Sequence, residues 1–288
     1  MGVLAVRVFL VGLERVLLRR MGEAAGGLES SVVFFGLASL MLLPLVLISG
    51  VHWLPLLRWA LPSGLVYAVA YWLYVSALTS GEVSRLGPLS SLSGILVAVL
   101  AVWTHHETLG GAKALGVLLV VVGSIWLQAP ARGEAQRTGG TWKMLLYAVL
   151  SAATRLLDKS GAGMAAGSGA AAYALVVFGT VTVTHLVLTV LLGRMTAVGA
   201  LLRAHPVLSV AAALCNGGSF LLLLLALGAV PVSVAEPVTA LSLLVSTALA
   251  GLFLREPVRG RWAPTLAVVA GTWLLIREVA VPAMFTLP

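Results

Sequence analysis

Ten stretches of predominantly apolar residues, each near the length of a membrane span, follow one another along this chain. They cover about 3–20, 31–50, 61–79, 86–103, 111–128, 142–158, 168–193, 206–227, 234–254 and 262–279. A helix that crosses a bilayer needs ~20 such residues. No water satisfies backbone N–H and C=O groups inside hydrocarbon, so each stretch reads as a helix. Composition agrees: of 288 residues, 60% are hydrophobic and only 10% charged. A soluble domain carries roughly 25% charged residues. The expected fold class is all-α integral membrane, with ten transmembrane helices. The opening run, "MGVLAVRVFLVGLERVLLRR", is broken by Arg7, Glu14 and Arg15. It therefore reads as a first helix and not as a cleaved signal segment.

Several functions are disfavoured at once. The one cysteine, Cys215, cannot form an internal disulfide, and no Cys/His cluster has metal-ligand spacing. Net charge is +8, yet no basic run is interleaved with aromatics, so nucleic acid is not an expected partner. Lys and Arg at cytoplasmic loop positions explain the excess. There is no nucleophile–base–orienter set, no Gly-rich phosphate loop and no ATP-binding motif. Neither enzyme activity nor a cofactor is expected. The expected partners are the lipid bilayer and a small-molecule substrate, with monomer or homodimer left open.

The longest polar break, "APARGEAQRTGGTW", falls near mid-chain and has the composition of a surface linker. Either side of it the sequence repeats. "ALTSGEVSRLGPLSSLS" (77–93) aligns with "ALGAVPVSVAEPVTALS" (226–242) at a constant offset of 149. Ser84 meets Ser233, Pro88 meets Pro237 and Ser93 meets Ser242. The offset continues to Glu107 with Glu256 and Gly111 with Gly260. One residue of slippage brings "LLVVVGS" (118–124) onto "LAVVAGT" (266–272), and a weaker match sets "VLLRR" (16–20) beside "RLLDK" (155–159). Apolar matches alone could arise by chance; coincident Pro, Glu, Gly and Ser at one offset argue for two copies of one unit. The units are 1–128 and 142–279, joined by a linker at 129–141 and followed by a tail at 280–288. Five helices per unit is an odd number, so the second copy crosses in the opposite sense. Inverted repeats of this kind typify secondary transporters, with the substrate site between repeats.

The turns "WTHHETLGGAKALGVLLVVVGS" (103–124) and "FLREPVRGRWAPTLAVVAGT" (253–272), each after a Pro-led apolar helix, resemble those of the drug/metabolite transporter superfamily in its ten-helix EamA-type form. The resemblance covers essentially the whole chain. It implies a bundle in which segments one to four and six to nine surround a central cavity, with segments five and ten peripheral. It implies a multi-pass protein, of a bacterial inner (cell) membrane, that exports an amino acid, other metabolite or drug by alternating access. Translocation of a lipid or lipid-linked sugar, and a non-transporting scaffold, are the alternatives. The resemblance also implies cytoplasmic termini. The charge distribution points the other way. Arg19, Arg20, Arg85, Arg132, Arg137, Lys143, Arg194, Arg203, Arg255, Arg259 and Arg261 fall on one side. Only Arg58, Lys113, Lys159 and Arg277 fall on the other. Orientation stays open between the two.

Candidate site residues follow from polarity at membrane depth. Pro88 and Pro237 mark helix breaks, either as simple helix starts or as points where freed backbone groups line a cavity. Tyr67, Tyr71 and Tyr74 in the third segment, with Asn216, Ser219 and Phe220 in the eighth, form either a cavity wall or a packing seam of small residues. Ser90 and Ser93 follow the first break. Glu14, an acid inside the first helix, is a carrier of a proton or ion by default. In placement it resembles the first-helix glutamate of the four-helix multidrug members of the superfamily, and the second copy has only Ala153 or Thr154 there. An ion pair with Arg7 or Arg15 is the structural alternative. Glu236 stands where the first copy has Gly87. It is either a substrate contact or a cap for the ninth segment. Arg155, Asp158 and His185 are weaker candidates. Glu107 and Glu256 read as caps or interface anchors, and His105 and His106 as edge residues that meet water.

Overall fold

The computed structural model describes residues 2–48, 53–80, 86, 89–90, 92–107, 110–127, 140–162, 169–253 and 262–285. Among these the chain is helical apart from short turns, with no strand. In chain order the helices are α1 (Gly2–Ala25), α2 (Gly27–Leu47), α3 (Trp53–Ser80), α4 (Leu92–Thr104), α5 (Gly111–Leu127) and α6 (Thr141–Ala162). Then follow α7 (Gly169–Leu191), α8 (Met195–Ala204), α9 (Pro206–Ala229), α10 (Val232–Thr239), α11 (Ser242–Phe253) and α12 (Trp262–Phe285). By length and composition, the spans Gly27–Leu47, Pro55–Leu78, Gly169–Leu191, Pro206–Ala229 and Val232–Phe253 can cross a membrane. The 24-residue α1 is as long, but its charges set it apart. Arg7, Glu14 and Arg15 are all buried, so they face protein and not lipid.

Several boundaries differ from expectation, among them the start of α3 at Trp53 where 61 was expected. The expected 234–254 helix is two pieces, α10 and α11. The N–H groups of Ala240, Leu241, Leu243 and Leu244 donate to carbonyls three residues back, at 2.9–3.1 Å. This tightened backbone is the joint, and it lies after Pro237. Pro237 therefore sits in the last turn of α10 and does not open a helix. A ten-residue helix, α8, fills the gap expected between 193 and 206; it tucks in Val198 and Leu201. The last helix runs to Phe285, six residues into the expected tail. Pro88, Gly87, Glu256 and nearly all of the linker lie outside the described residues.

The packing is reciprocal. α1 lies against α9, α10 and α11, and α6 lies against α3 and α4. α2 packs on α7, and α5 on α12. α3 meets α7 as α9 meets α2. The α5/α12 pair is joined through backbone. A Cβ added to Gly271 would fall 2.6 Å from the Gly116 carbonyl oxygen, and one added to Gly123 would fall 2.9 Å from that of Pro264. The 148-residue offset that aligns 118–124 with 266–272 maps the first contact onto the second. Small residues let helices approach this closely in lipid, where dispersion replaces the hydrophobic drive. Arg19 and Lys159 form another matched pair. Arg19 donates to the Leu78 carbonyl at 3.4 Å. Lys159 donates to the Leu227 carbonyl at 2.6 Å, and Leu227 is Leu78 plus 149. Each basic head satisfies carbonyls that a helix C-terminus leaves without partners. Aligning these two residues pairs Arg15 with Arg155 and Glu14 with Thr154.

Candidate functional site

One helical stripe of α1 carries Arg7, Val11, Glu14 and Arg15, spaced four, three and one residues apart. Tyr67, Tyr71 and Tyr74 lie on a matching stripe of α3, and Tyr147, Ser151 and Arg155 on one of α6. Residues three and four apart share a helix face, so each helix aims a polar or aromatic stripe inward. The stripes meet at a buried cavity of about 60 Å³. Ser90, Ser93 and Gly94 complete it from the start of α4, and Asn216, Ser219 and Phe220 from α9. Glu236, Thr239 and Ala240 close it from α10 and the joint beyond. Helices α2, α5, α7 and α12 supply no lining residue. The expectation that segments one to four and six to nine surround the cavity therefore narrows to the first, third and fourth of each half.

Ion pairs cross the middle of this cavity. Glu236 Oε1 lies 2.8 Å from Arg155 Nε and 3.2 Å from Arg7 Nη2, bridging α1, α6 and α10. Arg155 also pairs with Asp158 at 3.1 Å and donates to the Tyr67 hydroxyl at 3.1 Å. Asp158, fully buried, accepts from Ser63 Oγ at 2.7 Å and the Tyr173 hydroxyl at 3.1 Å. Arg7 donates to Thr239 Oγ1 at 3.1 Å and to the Ser219 carbonyl at 3.4 Å. A buried charge is tolerable only when paired and hydrogen-bonded, and these groups are. Glu14 is held differently. It accepts from the Tyr71 hydroxyl at 3.1 Å and Ser219 Oγ at 3.3 Å. No ion pair to Arg7 or Arg15 holds it.

The wall between the charges is aromatic. Tyr67 stacks on Tyr71 at 4.7 Å, and Tyr74 on Tyr147 at 4.6 Å. Phe35 meets Tyr71 edge-on at 4.7 Å from behind. The Arg155 guanidinium lies 5.4 Å over the Tyr67 ring and 6.0 Å from Phe220. Such pairs add ~0.5–1.5 kcal/mol each beyond the area they bury and hold the rings in place. Ser93 Oγ donates to the Ser90 carbonyl at 2.7 Å, which ties down the start of α4.

Tyr67, Tyr71, Tyr74, Ser90, Ser93, Asn216, Ser219, Phe220, Glu14 and Glu236 all line this one cavity. Pro237 does not. It backs the cavity, with its ring 3.7 Å from the position a Cβ on Gly94 would take. Glu236 is not a helix cap, because its carboxylate is taken by two arginines. His185 Nε2–H donates to the Ala68 carbonyl, 2.8 Å away, and joins α7 to α3. Glu107 caps a helix, but not its own. Its carboxylate accepts from the Val232 and Ser233 N–H groups at 2.9 and 3.2 Å and from the Ser233 hydroxyl. The N-terminus of α10, in the opposite half, is where unpaired donors point. Arg7, Arg15, Tyr147, Ser151 and Thr239 are cavity residues that the sequence did not single out as such. The stripe through Arg7, Glu14 and Arg15 was the available signal.

A bundle of apolar helices around a buried, charged cavity is the architecture of a multi-pass integral membrane protein. Residues 1–128 match the model of the EamA-like transporter family. The match covers 128 of the 288 residues, and it shows a likeness of that part of the chain to the family. A solved crystal structure resembles the chain over 96% of its length and 96% of that structure's own, with a TM-score of 0.60 and 17% identity. At that identity the likeness shows the fold alone. No curated protein matches the chain.

Proposed function

We propose that this protein is a secondary transporter. It would export a small solute through the central cavity by alternating access of two inverted five-helix repeats, 1–128 and 142–279. Ten membrane crossings follow if α8 is a connector and α10 with α11 count as one. The reciprocal packing supports the repeat: first helix against third and fourth, second against second, fifth against fifth. The observation that carries the function is the cavity itself, set where the first, third and fourth helices of both halves meet. A site shared between repeats is what rocking one against the other can expose to each side in turn. At about 60 Å³ the cavity is far below the roughly 300–1,000 Å³ of small-molecule sites, so this conformation is closed around its centre. The buried polar set argues against a non-transporting scaffold, whose interior could be apolar throughout.

Glu14 is the proposed proton carrier, because it is the buried cavity acid that no arginine holds. The purified protein in liposomes would be tested for flux of amino acids and cationic dyes. No flux of any solute, with folded protein, would sink the proposal. Glu14→Gln should retain downhill flux and lose proton-driven accumulation; unchanged coupling would remove Glu14 from that role.

A further inference from the structure

The charges in the cavity are unevenly served. Arg7 and Arg155 share Glu236, and Arg155 has Asp158 besides. Arg15, only 6% exposed, makes no ion pair among the described residues. Its Nε and Nη1 have no hydrogen-bond acceptor, although the Tyr74 hydroxyl neighbours the guanidinium. Asn216, 1% exposed and lining the same cavity, has an Nδ2 with no acceptor either. Both unmet groups are donors: a guanidinium has no acceptor at all, and Nδ2 is the donor end of an amide. Leaving a buried donor unmade is costly, more so when it is charged. What completes this site is therefore an acceptor, and one that a guanidinium recognises by its paired N–H groups.

The remaining surface says what lies behind that acceptor. The faces of Tyr67, Tyr71, Tyr74 and Tyr147 offer flat apolar area. A cationic ligand would meet Arg7, Arg15 and Arg155, with Glu14 the one cavity carboxylate not already spoken for. We propose that the substrate is a small organic anion. Arg15 and Asn216 hold its carboxylate or phosphate, and the tyrosines receive its apolar body. This rests on the transporter reading above.

The test uses the full chain in liposomes and protein-dependent uptake. The probes are acetate, phenylacetate and indole-3-acetate, their amides and the corresponding amines, with phenyl phosphate added to separate the two anion chemistries. Expected is flux of an anion about tenfold or more above its matched amide and amine, the difference one charge-assisted contact makes. Arg15→Gln should erase that preference and Arg15→Lys should keep part of it. If Arg15→Gln does not fold, the ranking of head groups on the unaltered protein and on Arg15→Lys decides. Flux confined to neutral or cationic probes overturns the anion inference and leaves the transporter reading standing, as does an intact preference in folded Arg15→Gln. Flux of no probe, amino acid or dye by folded protein overturns both.

Discussion

The α5/α12 pair and the central cavity are both built from matching helices of the two halves, and they use the match in opposite ways. At the periphery the same close backbone contact is made twice. Gly116 meets Gly271 as Gly123 meets Pro264, and nothing charged intervenes. In the cavity, an offset of 140 sets Glu14 against Thr154 and one of 149 sets Glu236 against Gly87. Repetition makes the frame, and departures from repetition make the site. A packing seam needs the same shape twice, whereas a site for one asymmetric molecule needs different groups on its two sides.

The largest expected effect lies in the cavity. Glu236→Gln leaves Arg7 without its carboxylate and Arg155 with only Asp158 in a buried setting. Breaking such a pair costs ~3–5 kcal/mol, so the melting temperature in detergent should fall steeply. A small fall would mean that the cavity is wetter than its burial implies. Next comes the seam. Gly271→Leu forces α12 off α5 and should cost ~1–3 kcal/mol through overpacking. Gly179→Ala, where an added Cβ meets nothing within 4 Å, should be neutral. If the periphery is only frame, folded Gly271→Leu should transport at the rate of the unaltered protein; a selective loss of flux would blur the contrast.

Smaller again is the matched pair of basic residues. Lys159→Met removes two bonds, to the Leu227 and Val230 carbonyls at 2.6 and 3.2 Å. Arg19→Met removes, among other contacts, a bond to the Leu78 carbonyl at 3.4 Å and an exposed pair with Glu23. Both heads are partly in solvent, so about 1 kcal/mol is the scale, with Lys159 the larger. Equal or reversed losses, read by thermal unfolding, would show that the halves bear load alike at this point.

Much of the frame was legible in the sequence. Apolar length announced the helices, and the offset of 149 linked Pro88 to Pro237 before any packing was known. Local signals put the later break at Pro237, and it lies just beyond, at Ala240–Leu244. The tightened bonds at Ala240–Leu244 depend on how α10 seats against α1 and α4, not on Pro237 alone. Glu107, expected as a cap or an interface anchor, is both at once, but its partner helix is not the one beside it in sequence. Val232 is 125 residues away, and no local pattern encodes that proximity.

The sequence by itself therefore determined the apolar solvent and the helical class, because hydrophobicity and periodicity act over one or two turns of chain. It also put Arg7, Glu14 and Arg15 on one stripe of one helix. Only the tertiary structure decided which charge meets which. Arg7 finds Glu236 across 229 residues, Glu14 finds two hydroxyls, and Arg15 makes no ion pair among the described residues. Pairing in a buried cluster is settled by distances of a few ångströms between helices that the sequence keeps far apart. That geometry sets Arg7 and Arg155, which share Glu236, apart from Arg15, which makes no ion pair among the described residues.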